Sequence, residues 1–533
     1  MKVQSMNDKT QVLFRRTWAP LIQFSVLIAF LSALPLMYIL YQAARANPGI
    51  WQRLFNTKIP ILLFNTLALA LATALIASII ALVLAWVIVK TDVPFKRILN
   101  WLPVMPLAIP PYIAAFTYIV ILGPAGVVPT AISKVLNIPL SQLKFNYIYS
   151  FWGVALIFAF FTYPYIYILA ANALKNIDGN LEEMASSSGL SGLKTFCKVT
   201  LPLITPSIFS GALLVIMYVL ADFGAIAMLR YESFTRAIYL QLTGRYDRPA
   251  AAVLSSVLIA VIFAFLWFDN HLRNRRNLFA VNSSAKSCKI INLGQWKLPV
   301  LLLIISIMTI TLMIPVGTLI AWSIKGVKSG VITSQLVQYV SNSFFLAATT
   351  ASVVSLIALP LAYVNTRYKN KLYQIISKLS YTGYTLPGII TALGTVFVFS
   401  NYLPFLYRTI FCLVAAYTIK LLPQCLMGQE NSLLQLAPSY EEAAFSSGYT
   451  PRQTFLKVTI PLIKNGILGG WIMVFVNVTK ELPVTLLLRP AGFDTMAVRI
   501  WIDASEGFYT SAAPLALVLI SITMVTLKSL MDK

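Results

Sequence analysis

Charge is what this sequence has least of. Only 11% of its 533 residues are Asp, Glu, Lys or Arg, and the acids number 17. A soluble domain carries about 25% charged residues, so there is too little polar surface here to cover a water-soluble globule. Histidine occurs once, as His271, in a basic polar stretch that reads as a solvated loop. The four cysteines, Cys197, Cys288, Cys412 and Cys425, stand far apart, with no CxxC pair. A tight His/Cys metal site and a redox dithiol are therefore not expected. The chain has no Gly-Lys dipeptide, so it cannot build a Walker loop around nucleotide phosphates. No nucleophile–base set stands out, which argues against a membrane-embedded enzyme.

What is present is apolar: 58% of the residues, with a mean hydropathy of +0.78. A helix needs about 20 apolar residues to cross roughly 30 Å of hydrocarbon. Runs of that kind stand near residues 20–42, 61–89, 98–122, 149–173, 206–228 and 251–269, and again near 298–323, 342–365, 374–400, 406–427, 466–488 and 510–528. In lipid every backbone polar group needs a partner within the protein, and runs of this length achieve that as helices. The fold class expected is an all-α polytopic membrane protein of about twelve helices in two sets of six. Pro103, Pro106, Pro110 and Pro111 predict a kinked or broken third helix. The first run, Pro20 to Tyr41, exceeds the ~7–15 residues of a secretory h-region. It is therefore read as an uncleaved first helix despite the "AARA" at Ala43 to Ala46.

The basic excess is large, 41 Lys+Arg against 17 Asp+Glu. No basic stripe is interleaved with aromatics, so nucleic acid is not an expected partner. Loops on the cytoplasmic side of a membrane collect Lys and Arg. With a cytoplasmic N-terminus, the inner segments hold about 25 of them against about 13 outside. The densest stretch, with Arg273, Arg275, Arg276, Lys286, Lys289 and Lys297, reads as a cytoplasmic linker at 271–297 between a first unit, 1–270, and a second, 298–533.

One polar sentence is written twice. "LEEMASSSGLSGLKTFCKVTLPLI" (Leu181 to Ile204) and "YEEAAFSSGYTPRQTFLKVTIPLI" (Tyr440 to Ile463) share 14 of 24 residues. "IALVLAW" at Ile80 answers "IALPLAY" at Ile357, and "LADFGAIAMLR" at Leu220 answers "TKELPVTLLLR" at Thr479. The offset falls from 277 to 259 along the chain, so the first half holds about 18 extra residues within "GPAGVVPTAISKVLNIPLSQLKFN". Two repeats of six spans each face the same way, related by an axis along the membrane normal.

The repeated sentence has a physical reading. Glu182 and Glu183 open a short polar helix, where carboxylates meet the positive end of its dipole. Ala185 keeps its surface small, Gly189 permits a turn with positive φ, and Phe196 belongs to a second amphipathic piece. Pro202 then starts the next span. Glu441, Glu442, Ala444, Gly448, Phe455 and Pro461 rebuild the same helix–turn–helix knob. Two knobs kept alike while the surrounding spans drift suggest docking surfaces for a partner present in two copies.

At these residues the sequence resembles the ATP-binding-cassette importer permeases. Glu183-x-Ala185-x-x-x-Gly189 and Glu442-Ala443-Ala444-x-x-x-Gly448 look like that family's EAA loop, with Met184 departing where alanine is usual. The resemblance implies two fused type I permease units of six helices in a bacterial inner membrane. It also implies that the loops, about 181–204 and 440–463, seat in grooves of two ATPase subunits, with Glu183 and Glu442 at the contact. The chain itself would bind no cofactor; Mg-ATP would be used by the ATPase. "ELPVTLLLRPAGFDTMAVRIW" and "ADFGAIAMLRYESFTRAIY" resemble the fused permeases of ferric-iron uptake, which implies a periplasmic ferric-binding protein as partner. Thiamine, sulfate and polyamine permeases are neighbours, and an ion-gradient-driven transporter is the rival class.

Asp222 and Glu481 occupy matching positions of the fifth and eleventh spans. Ionisable groups in a membrane are costly and face a cavity or pair. They are candidates for the translocation path, or else helix-end residues with Lys480 neutralising Glu481. Pro483 is expected to break the eleventh span near a gate. Tyr163, Tyr165 and Tyr167 read as packing or interface aromatics.

Overall fold

The computed structural model describes residues 8–143, 145–274, 290–330, 334–367 and 371–531. Among them the secondary structure is helical, apart from one bridge between Thr91 and Ile291. The principal helices are α1 (Asp8–Arg45), α2 (Ile59–Lys90), α3 (Pro111–Leu122), α4 (Phe151–Lys175), α5 (Leu201–Ala221) and α6 (Arg248–Asn274). They continue as α7 (Gly294–Lys328), α8 (Ser334–Arg367), α9 (Gly388–Tyr402), α10 (Ile410–Gln435), α11 (Lys464–Lys480) and α12 (Tyr509–Met531). Linker residues Arg275, Arg276, Lys286 and Lys289 lie outside the described residues.

About twelve spans were expected, the third kinked or broken and the eleventh broken, and the count of single spanning helices is lower. Ten helices among the described residues are long and apolar enough to cross a membrane. An eleventh exists only as a bent pair, Pro451–Leu462 and Lys464–Lys480, at 69° to each other. The ninth run, read as 374–400, is divided among the helices Lys371–Ser380, Thr382–Thr385 and the 15-residue α9, so no single helix there is long enough to span. At the ninth run a proline is the reason. Leu386 is extended, Pro387 follows, and α9 starts at Gly388. The third run breaks at the same register: a 3₁₀ segment ends at Ala108, Ile109 is extended, Pro110 follows, and α3 starts at Pro111. A proline disfavours helical backbone in the residue before it, so both runs stop there.

The chain forms two compact units, each assembled from both sequence halves. One comprises Met1–Ala44 and Val337–Val498; the other comprises Arg45–Leu336 and Arg499–Lys533. The division at 271–297 belongs to the sequence repeat, which is a different quantity. In the first unit α1 packs against α9. Asn401 Nδ2 donates to the Tyr38 hydroxyl at 2.9 Å, and the Tyr38 ring meets Phe397 edge-on. A Cβ on Gly394 would stand 2.6 Å from Pro35 Cβ and 2.7 Å from its carbonyl oxygen. In the same unit α10 and α11 cross at Gly428 and Gly470, where a Cβ on Gly470 would lie 2.9 Å from Cys425 Sγ. Lipid supplies no hydrophobic drive between helices, so small residues that permit close packing decide such crossings.

In the other unit α2 offers α4 and α5 a stripe of buried alanines, Ala70, Ala74, Ala77, Ala81 and Ala85. Tyr118 on α3 donates to the Ile310 carbonyl of α7 at 2.6 Å, and Phe116 stacks on Tyr509 of α12. The extra residues of the first half form a short helix, Val127–Leu136, and 3₁₀ turns ahead of α4. The α1–α9 packing sets a test. Gly394→Leu should lower stability by about 1–3 kcal/mol through overpacking, whereas Gly469→Leu, with nothing within 4 Å of its Cβ, should not. Thermal unfolding of the two purified variants checks this.

Candidate functional site

Each repeated sentence folds as a helix, a turn and a second helix leading into the next span. In the first, Asp178 caps the helix Gly179–Ser187 by accepting from the Asn180 amide. In the second, the helix is Ser439–Ser446. Gly189 and Gly448 follow with φ of +80° and +85°, the left-handed turn that glycine adopts freely. The chain then passes through a π-turn, Phe196–Thr200 or Phe455–Thr459. The first continues into α5, with Pro202 in its opening turn; the second passes through Ile460–Leu462, where Pro461 sits, before bending into α11. Ala185 and Ala444 are buried under their helices.

The adjacent glutamates divide in role. Glu182 accepts both contacts of the Lys90 ammonium, at 2.7 and 2.8 Å, and the Thr200 hydroxyl at 2.7 Å. Lys90 is 2% exposed and is the last residue of α2. Glu441 pairs with Arg367, the last residue of α8, with Nε to Oε2 at 3.2 Å, and accepts the Thr459 hydroxyl at 3.1 Å. Beside each pair an aromatic of the span meets an aromatic of the loop edge-on: Trp86 with Phe196, Tyr363 with Phe455. Losing one partner of a buried ion pair costs about 3–5 kcal/mol, so these clamps fix the loops to the span ends. The next glutamate stands further out. Glu442 is exposed and Glu183 is half-buried. Around them Leu181 and Met184, and in the second loop Tyr440, Tyr449 and Leu456, are exposed apolar side chains.

Asp222 and Glu481 again fall at one register. Each is extended and directly follows the last residue of its helix, α5 or α11. Asp222 Oδ1 accepts from the amides of Ala225 and Ile226 at 3.0 and 3.4 Å, capping the short helix Gly224–Met228. Glu481 pairs with Lys420 of α10, Nζ to Oε1 at 2.6 Å, and its chain neighbour Lys480, expected as its counter-charge, also acts on it electrostatically. The eleventh span breaks beside Pro483, as expected, and Pro483 opens the helix Pro483–Leu488; the first half breaks at the same register with Gly224 in its place. A Cβ on Gly388 would lie 2.5 Å from Glu481 Oε1 and 2.6 Å from Lys420 Nζ, so the bare N-terminus of α9 makes room for the pair.

The Lys420–Glu481 pair is the middle rung of three. Asn477 Nδ2 donates to Gln424 Oε1 at 2.7 Å one turn away, and Tyr417 and Thr485 share a hydrogen bond one turn the other way. At the same positions the first half has Phe158, Phe161 and Tyr165 on α4, facing the register of Tyr218, Asp222 and Ile226. There the Tyr165 and Tyr218 rings touch, centroids 5.8 Å apart. Among the described residues no group of three His, Cys, Asp or Glu could hold a metal ion.

Sequence reading missed Lys90, Arg367, Thr200, Thr459 and Lys420. Four of them carried a signal. Lys90 and Arg367 each stand four residues after the repeated "IALVLAW" and "IALPLAY" aromatic, and Thr200 and Thr459 are identical within the repeated sentence. Lys420 has no counterpart in the first half, so the repeat could not mark it.

Known proteins resemble the chain at both scales. The Fe(3+)-transport system permease protein FbpB 2 of Haemophilus influenzae is 28% identical over 501 residues, 93% of this chain and 94% of that protein. The ferric transport system permease protein FbpB of Actinobacillus pleuropneumoniae is 22% identical over 444 residues, 79% of this chain and 63% of the relative. A probable sulfate transport system permease protein cysT of Marchantia polymorpha is 27% identical over 260 residues, 47% of this chain and 86% of the relative. The profile of one permease family matches twice, at residues 77–277 and 355–532, and each match contains one clamped loop. With its fold, its paired loops and this double match, the chain belongs to the family described as binding-protein-dependent transport system inner membrane component.

Proposed function

We propose that this chain is the transmembrane permease of an ATP-driven importer that moves ferric iron, delivered by a periplasmic binding protein, across a bacterial inner membrane. The observation that carries the reading is the pair of knobs, each held to a span end and each presenting an acidic, apolar face. Two copies of a separate ATPase seat on them, since the chain has no Gly-Lys dipeptide from which to build a phosphate loop of its own. ATP binding draws the knobs together and opens the path outward; the binding protein releases its cargo; hydrolysis resets the inward-facing state. Such coupling works because the partners bind the two states with different affinity. Both knobs and both termini lie on the cytoplasmic side, in keeping with the Lys/Arg bias. Ferric iron as cargo is supported by the length-wide likeness to the Haemophilus permease. Sulfate is the second reading, supported by the half-length likeness to cysT proteins.

Three outcomes are expected. Juxtaposed like charges at an interface cost several kcal/mol, so Glu183→Lys with Glu442→Lys should cut uptake by at least about tenfold and abolish co-purification of the ATPase. A gradient-driven transporter would be indifferent to both. Cysteines placed at the exposed Ser187 and Ser446, with the exposed Cys197 replaced, should resist a membrane-impermeant maleimide in intact spheroplasts and react in inverted vesicles. Proteoliposomes holding the complex and its binding protein should accumulate radioactive ferric iron only with internal ATP, and excess sulfate should not compete. Competition by sulfate would assign the other cargo.

A further inference from the structure

We propose that Lys90 and Arg367 are positioning residues for transport: each grips its cytoplasmic knob through the inner glutamate and passes the knob's movement to the span it terminates. The proposal rests on the reading that the knobs dock an ATPase. The molecule holds its own replicate. Lys90 and Glu182 are 92 residues apart, Arg367 and Glu441 are 74 apart. The difference is the 18 residues inserted in the first half, so the pairing survived an insertion between its partners. The cation has changed from lysine to arginine, yet it remains the last helical residue of α2 or α8, and the threonine that completes the carboxylate's shell is the same.

Stability alone does not call for this design. Packed apolar groups of similar volume commonly hold as well as a buried ion pair, and each knob is already fastened by a buried alanine and an aromatic contact. What a charged pair adds is direction and register, since a lysine or arginine head fixes one carboxylate in one geometry. Among the described residues Gly189 and Gly448 have no neighbour within 4 Å of a Cβ, so the outer tip of each knob is open while its base is fixed. A force applied at the tip therefore reaches the span through the clamp.

The first clamp is also tied to the next half of the sequence. Ile291 donates its amide to the Lys90 carbonyl at 2.7 Å, and the Asp92 amide donates to the Ile291 carbonyl at 3.1 Å. Asp92 then accepts from Lys297 Nζ at 2.7 Å and from the Leu293 amide at 2.8 Å. The Lys297 ammonium, with the Leu293 amide, holds the Asp92 carboxyl below its ordinary range, so the strap stays charged at physiological pH. The residues around Lys90 thus join the knob, the end of α2 and the start of α7.

The test uses the whole transporter, with its ATPase and binding protein, in proteoliposomes. Lys90→Ala and Glu182→Gln should leave ATPase co-purification within about twofold while cargo moved per ATP falls about tenfold, and the exchange Lys90→Glu with Glu182→Lys should recover most of that loss, as coupled neighbours do in double-mutant cycles. Lys90→Arg, which copies the second half, should transport like the parent. Parent-like transport per ATP in the single variants overturns the proposal, as does an exchange no better than Lys90→Ala. Loss of ATPase binding in Lys90→Ala also overturns it, because the clamp would then only shape the docking face. If a single variant fails to accumulate, the exchange and Lys90→Arg decide: recovery of accumulation with transport supports the proposal, and accumulation without transport refutes it. A parent chain that recruits no ATPase refutes the docking reading itself.

Discussion

A helix that stops within a largely apolar chain leaves amide and carbonyl groups that need other partners, and the broken spans of this chain follow from how those groups are met. Four such stops are central. Two lie before Pro110 and Pro387, and two lie at Asp222 and Glu481. At the first acidic stop the carboxylate turns back onto two freed amides of the following helix. At the second it reaches a lysine on a neighbouring helix, in space left by a glycine. The proline stops and the acidic stops meet in the first unit, where α9 begins against the Glu481 carboxylate. A helix N-terminus carries partial positive charge, so that carboxylate is held by an ammonium and by a dipole together.

The halves of the repeat are alike in their knobs and unlike within the spans. The clamps, the positive-φ glycines and the π-turns recur at matching positions. The three-rung contact between α10 and α11 does not; its counterpart is aromatic. Polar rungs need their exact partners, because an unpaired polar group in a dry interior costs about 1–3 kcal/mol. Aromatic neighbours can slide over one another at lower cost.

Much of this was legible in the residues. Apolar run length foretold the helices, and the duplicated sentence foretold two equal knobs, down to the turns at Gly189 and Gly448. Pro103 to Pro111 announced a broken span. The ninth span misled because hydropathy counts residues and ignores the restriction that Pro387 places on Leu386. Glu182 and Glu183 were read as one acidic patch, since a helical sequence shows adjacency without showing which neighbour turns inward. Lys420 was silent for a different reason: its partner is 61 residues away, and no pattern in a single chain links them. The composition of the compact units was equally hidden, because small residues such as Gly394 mark a close crossing without naming the helix that crosses.

That composition bears on biosynthesis. α1 belongs with α8 to α11, and Val337 leaves the ribosome 293 residues after Ala44. At synthesis rates of about 5–20 residues per second, the wait is roughly 15–60 s. During it α1 sits in the bilayer without its partners, presenting Pro35 and Tyr38 to lipid. The other unit opens with Arg45 and completes only with Arg499 onward. Neither unit can mature ahead of the other in the usual order of domains, so a nascent chain cut between the repeats yields two fragments, each lacking part of its own packing, rather than two half-sized permeases.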